Sequence, residues 1–253
     1  MKPIDFVRAI DLSGTPVQMR AMGAPTDHGE IFDAAKNQAQ IVGSGVFSFA
    51  QGVEAQTREA ISDSALLAQL VANKRVSVET DPIKWHAAYT DVLQNIGWVM
   101  QEGGWNDYTA DGTAVEVHEK IVEVLAVVLG PAATALAIVT SVLNTLKAMK
   151  PDSPWITLFT RESQKARIAR FQIGVAEQDT HGGVMASLLA CVIEADTTVT
   201  QVLFFKFKNS KAKFRANNVK VSMNLPALVE LSPAIRAKVR AYQIDYLSSI
   251  KDI

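Results

Sequence analysis

Cysteine is almost missing from this chain: Cys191 stands alone among 253 residues. An intramolecular disulfide is therefore excluded, and the fold has to rest on an ordinary hydrophobic core, as suits a reducing compartment. At 48% hydrophobic residues the chain can build one. An apolar leader is also missing. MKPIDFVRAIDLSG carries Asp5, Arg8 and Asp11, so no secretory signal peptide is expected. The protein is expected to be made in the cytoplasm, with membrane association or release coming by another route. Excess charge is missing too, with 25 Lys+Arg against 26 Asp+Glu. No global field draws the chain toward nucleic acid or anionic lipid, and nucleic acid is not an expected partner.

The signatures of common enzyme classes are absent as well. There is no GxxxxGK phosphate loop and no GxGxxG turn, and Gly43-Ser44-Gly45 lacks the frame of a G-x-S-x-G elbow. His28, His86, His118 and His181 are scattered without metal-ligand spacing. Asp27, His28 and Glu30 gather in TDHGE, but in a polar arm this reads as solvated loop, and no metal is expected. No internal repeat is present.

What the chain does have is VLAVVLGPAATALAIVTSVLNTL, residues 124–146, 23 residues without a charge. The length would suit a membrane span. Gly130-Pro131 breaks it, however, and Ala, Thr, Ser and Asn dilute it. Two apolar core helices meeting at a kink are expected, with conditional insertion into a bilayer as the alternative. The small residues Ala132, Ala133, Ala135 and Ala137 would allow close helix contacts there.

Around this stretch, residues 1–30 read as an irregular arm rich in Gly, Pro, Thr and Asp. Helices are predicted over Glu30–Val42, ended by the Gly43 turn, and over Glu54–Lys74. A third runs from Asp81-Pro82 to Gly103-Gly104, with Trp85, Tyr89, Val92, Ile96 and Val99 on one face. Thr113 and Glu116 form a capping-box pattern for the helix that reaches Leu129. Beyond Pro151 the pattern turns to strands at Trp155–Thr160, Ile168–Ala176, Val184–Ala195, Val199–Lys208 and Lys213–Met223. A C-terminal helix is predicted from Ser232-Pro233, with Ile235, Val239, Tyr242, Tyr246 and Ile250 on one face.

Helices followed by strands describe an α+β fold: an antiparallel sheet in the C-terminal half, covered by helices on both faces. We read residues 1–253 as one domain, with an irregular arm (1–30), a mainly helical part (31–150), antiparallel strands (151–224) and C-terminal helices (225–253). The segment VMASLLACVIEA (184–195) explains the double cover. One side carries Met185, Leu189, Cys191 and Ile193; the other carries Val184, Leu188, Ala190 and Val192. A strand apolar on both sides is covered on both sides. Burial raises a thiol pKa, so on the residues alone Cys191 is an inert packing residue.

This layout, with apolar N-terminal helices, a late covered sheet and a lone cysteine in a strand, resembles the Evf-type bacterial virulence factors. Through them it resembles the Cyt-type cytolytic toxins, in which helices wrap a sheet and the protein acts on membranes. The Evf resemblance implies a fatty acyl chain, palmitate, held as a thioester on Cys191. On that reading Met185, Leu189, Ile193, Leu203 and Phe205 would line the lipid pocket, and no other cofactor is implied. KFKNSKAKFR supplies Lys206, Lys208, Lys211, Lys213 and Arg215, which would touch lipid phosphates or simply keep a hairpin soluble. Arg161, Lys165, Arg167 and Arg170 would enlarge that patch. Two other functions stay open: a pore-forming cytolysin that inserts residues 113–147, and an acyl-thioester transferase or thioesterase using Cys191 with one of the histidines as base.

Overall fold

The computed structural model describes residues 1–15, 32–76, 81–101, 103–108, 116–130, 133–165, 167–178, 183–196, 199, 202–204, 212–243 and 247–250. In chain order the elements are α1 (Pro3–Ala9), β1 (Gln38–Val42), β2 (Gly45–Phe49), α2 (Ala55–Arg75), α3 (Pro82–Asn95), β3 (Trp98–Met100) and β4 (Asn106–Tyr108). There follow α4 (Val117–Leu129), α5 (Thr134–Ala148), α6 (Pro154–Ser163), β5 (Gln164–Lys165), β6 (Ile168–Gln178) and β7 (Val184–Glu194). A single 3-10 turn at Val202–Phe204 precedes β8 (Lys213–Met223), α7 (Leu225–Val239) and β9 (Leu247–Ile250). Among the described residues one sheet runs β3-β8-β7-β6-β2-β1-β9, with β4 also paired to β8 and β5 to β6.

The heart of the sheet is the antiparallel trio β6-β7-β8, with Phe171 opposite Cys191 and Cys191 opposite Ala216. Alternation decides what each strand shows to each side. Ala169, Phe171, Ile173 and Val175 of β6 join Leu189, Cys191 and Ile193 of β7 and Phe214 of β8 in a core closed by α4, α5 and α6. Ala176, Val184, Leu188, Val219 and Val221 face the opposite way, into a core closed by α1, α2, α3 and α7. The expected α+β fold, with helices on both faces, is what forms.

Several elements differ from the sequence reading, each for an identifiable reason. Residues 38–42 form a strand where a helix was predicted. Gly43 takes φ 53 in a two-residue hairpin turn, and every residue of β1 and β2 is buried, so no alternation betrays them. The third helix stops at Asn95. Gly97 at φ 99 turns the chain into β3, which leaves Val99 61% exposed on an edge strand. Trp155–Thr160 lies in α6, because Ser153 accepts the Ile156 N–H and Pro154 occupies the first turn, which outweighs the strand-like composition.

At the start of α4 the N-cap is Glu116, whose N–H donates to Glu119, and Thr113 lies outside the described residues. Within Val199–Lys208 the described part is a 3-10 turn rather than a strand. The last helix starts at Leu225, seven residues early, because Asn224 caps it and Pro233 is tolerated inside it. Leu247–Ile250 then leaves the predicted helix to pair with β1. The N-terminal arm is helical at Pro3–Ala9. The boundaries drawn at 31–150, 151–224 and 225–253 therefore each mix helices with strands.

One join in the sheet is parallel, between β2 and β6, and puts Phe47 beside Gly174. The Phe47 ring lies over that glycine so closely that an added Cβ would stand 2.5 Å from it. Gly174→Ala is expected to lower stability by about 1–3 kcal/mol through overpacking, measured by urea unfolding. Shrinking the ring with Phe47→Leu in the same chain should return part of that loss, a non-additivity that two independent sites would not show.

Candidate functional site

Cys191 sits near the C-terminal end of β7, in register with Phe171 and Ala216, and is 0% exposed. Leu189 and Ile193 flank it on the same face, and Leu203 reaches the same core from the 3-10 turn. Met185 shares that face but lies at the far end of the strand, beyond the helical cover, and is 50% exposed. The expected pocket set thus divides. Leu189, Ile193 and Leu203 gather with Cys191; Met185 does not; Phe205 lies outside the described residues. Burial pushes the Cys191 thiol well above its ordinary pKa.

Tyr108 of β4 was not singled out in the sequence. It packs on Phe214 at the edge of the same core, half-buried, with ring centroids 5.8 Å apart. Its phenol pKa is raised by burial first, and next by its proximity to Cys191 and to Glu123 of α4. Tyr108 therefore sits at the edge of the cysteine's core, beside Phe214.

A histidine does approach Cys191, but from the other side. His86 belongs to α3, in the opposite layer, and its Nε2 lies 3.3 Å from the Cys191 carbonyl oxygen. The thiol points away, into the α4–α6 core, so the imidazole cannot take its proton. Burial, and then the Arg170 charge, pull the His86 pKa down to about 3. Among the described residues no group of three or more His, Cys, Asp or Glu stands together as metal ligands.

Arg170, expected on a basic surface, is only 2% exposed. Its place between Ala169 and Phe171 turns it to the α2–α3 side. Nη1 donates to Ser44 Oγ at 2.7 Å, Nη2 donates to Asn73 Oδ1 at 2.8 Å, and the guanidinium lies 3.5 Å from the Trp85 ring centroid. Burial brings its pKa down to about 9. Arg161 pairs with Glu162 at 2.6 Å. Of the lysine-rich segment, Lys213 is exposed and Arg215 is held by Glu194 at 2.5 Å. Lys206, Lys208 and Lys211 lie outside the described residues.

These contacts reveal an asymmetry between the two helical layers. The α2–α3 layer is bolted to the sheet. Gln69 Nε2 donates to the Val42 carbonyl at 2.6 Å and Gln69 Oε1 accepts from the Ser44 N–H at 3.0 Å. Arg58 donates to Val53, Lys36 and Ala50 carbonyls and to Gln38. The α4–α5 layer has nothing comparable. Among the described residues, none from 119 to 148 makes a hydrogen bond or ion pair to a strand; that layer is seated by apolar packing. Cys191 points into the unbolted side. In unacylated protein its thiol should therefore resist a disulfide reagent such as dithiodipyridine while folded, reacting more slowly than in urea by roughly tenfold or more, as expected of a buried thiol.

No protein-family model matches the chain, and no curated protein matches it. Among solved structures it aligns with a delta-endotoxin at TM-score 0.42 and 16% identity, over 82% of this chain and 87% of that one. It also aligns with the activated Cyt2Ba monomer from Bacillus thuringiensis subsp. israelensis, at TM-score 0.38 and 16% identity, over 71% of this chain and 96% of that one. A third is the Evf virulence factor, at TM-score 0.30 and 12% identity, over 87% of each chain. The two groups that the sequence layout resembles are thus both among the structures with which this chain aligns.

Proposed function

We propose that this chain is a membrane-directed, toxin-like protein that carries a fatty acyl chain, palmitate, as a thioester on Cys191. The observation behind this reading is that the only thiol faces the helical layer that, among the described residues, meets the strands through apolar packing. A hydrocarbon tail placed there replaces like with like and breaks no hydrogen bond. Burying a palmitoyl tail would contribute on the order of 10 kcal/mol, at about 0.8 kcal/mol per methylene.

The chemistry is thioester exchange. The Cys191 sulfur attacks the carbonyl carbon of an acyl thioester, the carbon–sulfur bond to the donor breaks, and the thiol proton passes to the departing thiolate. Attack needs the thiolate form, and burial disfavours it. Acylation therefore takes place while α4 and α5 are off the sheet, before the layer closes or after it reopens. Once the layer lifts, the tail and the apolar faces of α4 and α5 would enter lipid together, and one acyl chain needs such a second contact for stable anchoring. Lys213, with Lys206, Lys208 and Lys211, would meet lipid phosphates, whereas Arg215 is engaged by Glu194.

The other two readings have less behind them. As helices, α4 and α5 have 13 and 15 residues. They are about 20 and 23 Å long, short of a hydrocarbon core of about 30 Å. Among the described residues no helix is long and apolar enough to cross a membrane. For thioester turnover, His86 sits on the wrong side of the strand to serve the thiol as a base.

Intact-mass measurement of natively expressed protein is expected to show an adduct of fatty-acyl mass that hydroxylamine removes. Cys191→Ser should abolish the adduct and weaken liposome flotation by about tenfold, in line with the loss of one acyl anchor. An unmodified mass in the wild-type protein would refute acylation.

A further inference from the structure

The α4–α5 hairpin is closed at one end by its own turn, where Gly130 takes φ 92. At its open end three side chains meet: Glu116 at the N-cap of α4, His118 in its first turn and Lys147 in the last turn of α5. Lys147 Nζ lies 2.9 Å from Glu116 Oε2, and His118 Nδ1 lies 3.2 Å from the same oxygen. Lys147 Nζ is also 3.4 Å from His118 Nε2. His118 is 6% exposed and takes a backbone hydrogen bond with Leu203, which ties the hairpin to the 3-10 turn over the cysteine's core.

An ammonium group can only donate. His118 Nε2 must therefore be unprotonated, with the ring proton on Nδ1, 3.2 Å from Glu116 Oε2. A second ring proton would set two positive charges 3.4 Å apart and remove the acceptor that Lys147 now uses. We propose that Glu116, His118 and Lys147 form an acid-sensitive latch, which holds α4–α5 closed over the sheet and releases it when His118 becomes an imidazolium. The latch matters because, among the described residues, 119–148 make no polar bond to a strand that could hold the hairpin in its place.

Among the described residues the charged groups facing His118 are Glu116 and Glu119 from α4 and Lys147 from α5. The two carboxylates favour the charged ring. Burial first, and then Lys147, disfavour it and prevail, so the ring's pKa lies below its ordinary value of 6.5. An opened hairpin, with His118 in water, binds the proton more readily than the closed one. The closed state is therefore at full strength at neutral pH and weakens as pH falls through the ordinary histidine range.

The test is amide hydrogen exchange of the full chain from about pH 7.5 to about pH 5, corrected for intrinsic exchange, across the range in which a histidine charges. Opening of 117–148 should rise several-fold at the acid end while α2 stays protected. His118→Gln, uncharged at every pH, should flatten that response. Lys147→Gln keeps the ring, removes the repelling charge and should make the response shallower. Equal protection of α4–α5 at both ends of the range would overturn the proposal, as would an unchanged response in His118→Gln. The readout does not involve the acyl chain, so its failure is separate from the failure of acylation.

Discussion

From Ser187 to Ile193, β7 has no side that water can touch. Val184, Leu188 and Val192 on one face and Leu189, Cys191 and Ile193 on the other are all buried. Exposing either set would place several large apolar side chains in water, at roughly 1.5–3 kcal/mol each. Two helical layers are the solution, and the charge-free stretch at 124–146 is one of them. Its composition makes sense as the lining of a sheet whose facing row reads Phe171, Leu189, Cys191, Ile193 and Phe214. Val124, Leu125, Val139, Val142 and Leu143 of the stretch meet that apolar row, whereas Val127 is exposed.

The layers do the same work by different physics. Hydrogen bonds from Gln69, Arg58 and Arg170 are directional and fix α2 in one register against β1, β6 and the segment that follows β2. Each contributes only about 0.5–1.5 kcal/mol net, yet leaving such a buried donor or acceptor unmet costs more. The first layer is therefore defined in position and expensive to move. Apolar contact on the other face scales with area and tolerates sliding and substitution. A protein that must hold its shape and also yield at one surface is well served by this division.

Much of this was legible in the residues. Clean alternation at Phe171-Ile173-Val175 and Val219-Val221-Met223 fixed β6 and β8, and the double apolar character of 184–195 fixed both β7 and the need for two covers. Asp81-Pro82 marked the start of α3 because a cap and a proline at the first turn are local chemistry. What failed was decided by tertiary context. QAQIV is buried on both sides and carries no period, so only its neighbours β2 and β9 make it a strand. WITLFT has the composition of a strand, and its capping by Ser153 decided otherwise. At the site, the burial of Cys191 was readable, but the side from which His86 arrives was not, since nothing local reports which layer a helix joins. Arg170 could have been read. Its place between two inward-facing residues of a doubly covered strand already put it inside.

The parallel join between β2 and β6 has a consequence for how the chain is made. Residues 38–49 form their hairpin locally, but the strand that β2 docks against lies more than a hundred residues later. While the polypeptide emerges from the ribosome, that hairpin has no lateral partner until Ile168–Gln178 has been synthesised. The meander β6-β7-β8, by contrast, needs only neighbouring segments, and contacts of short sequence separation form first. The nascent N-terminal hairpin is thus a waiting edge, held back by loop-closure entropy until the sheet's centre exists for it to join.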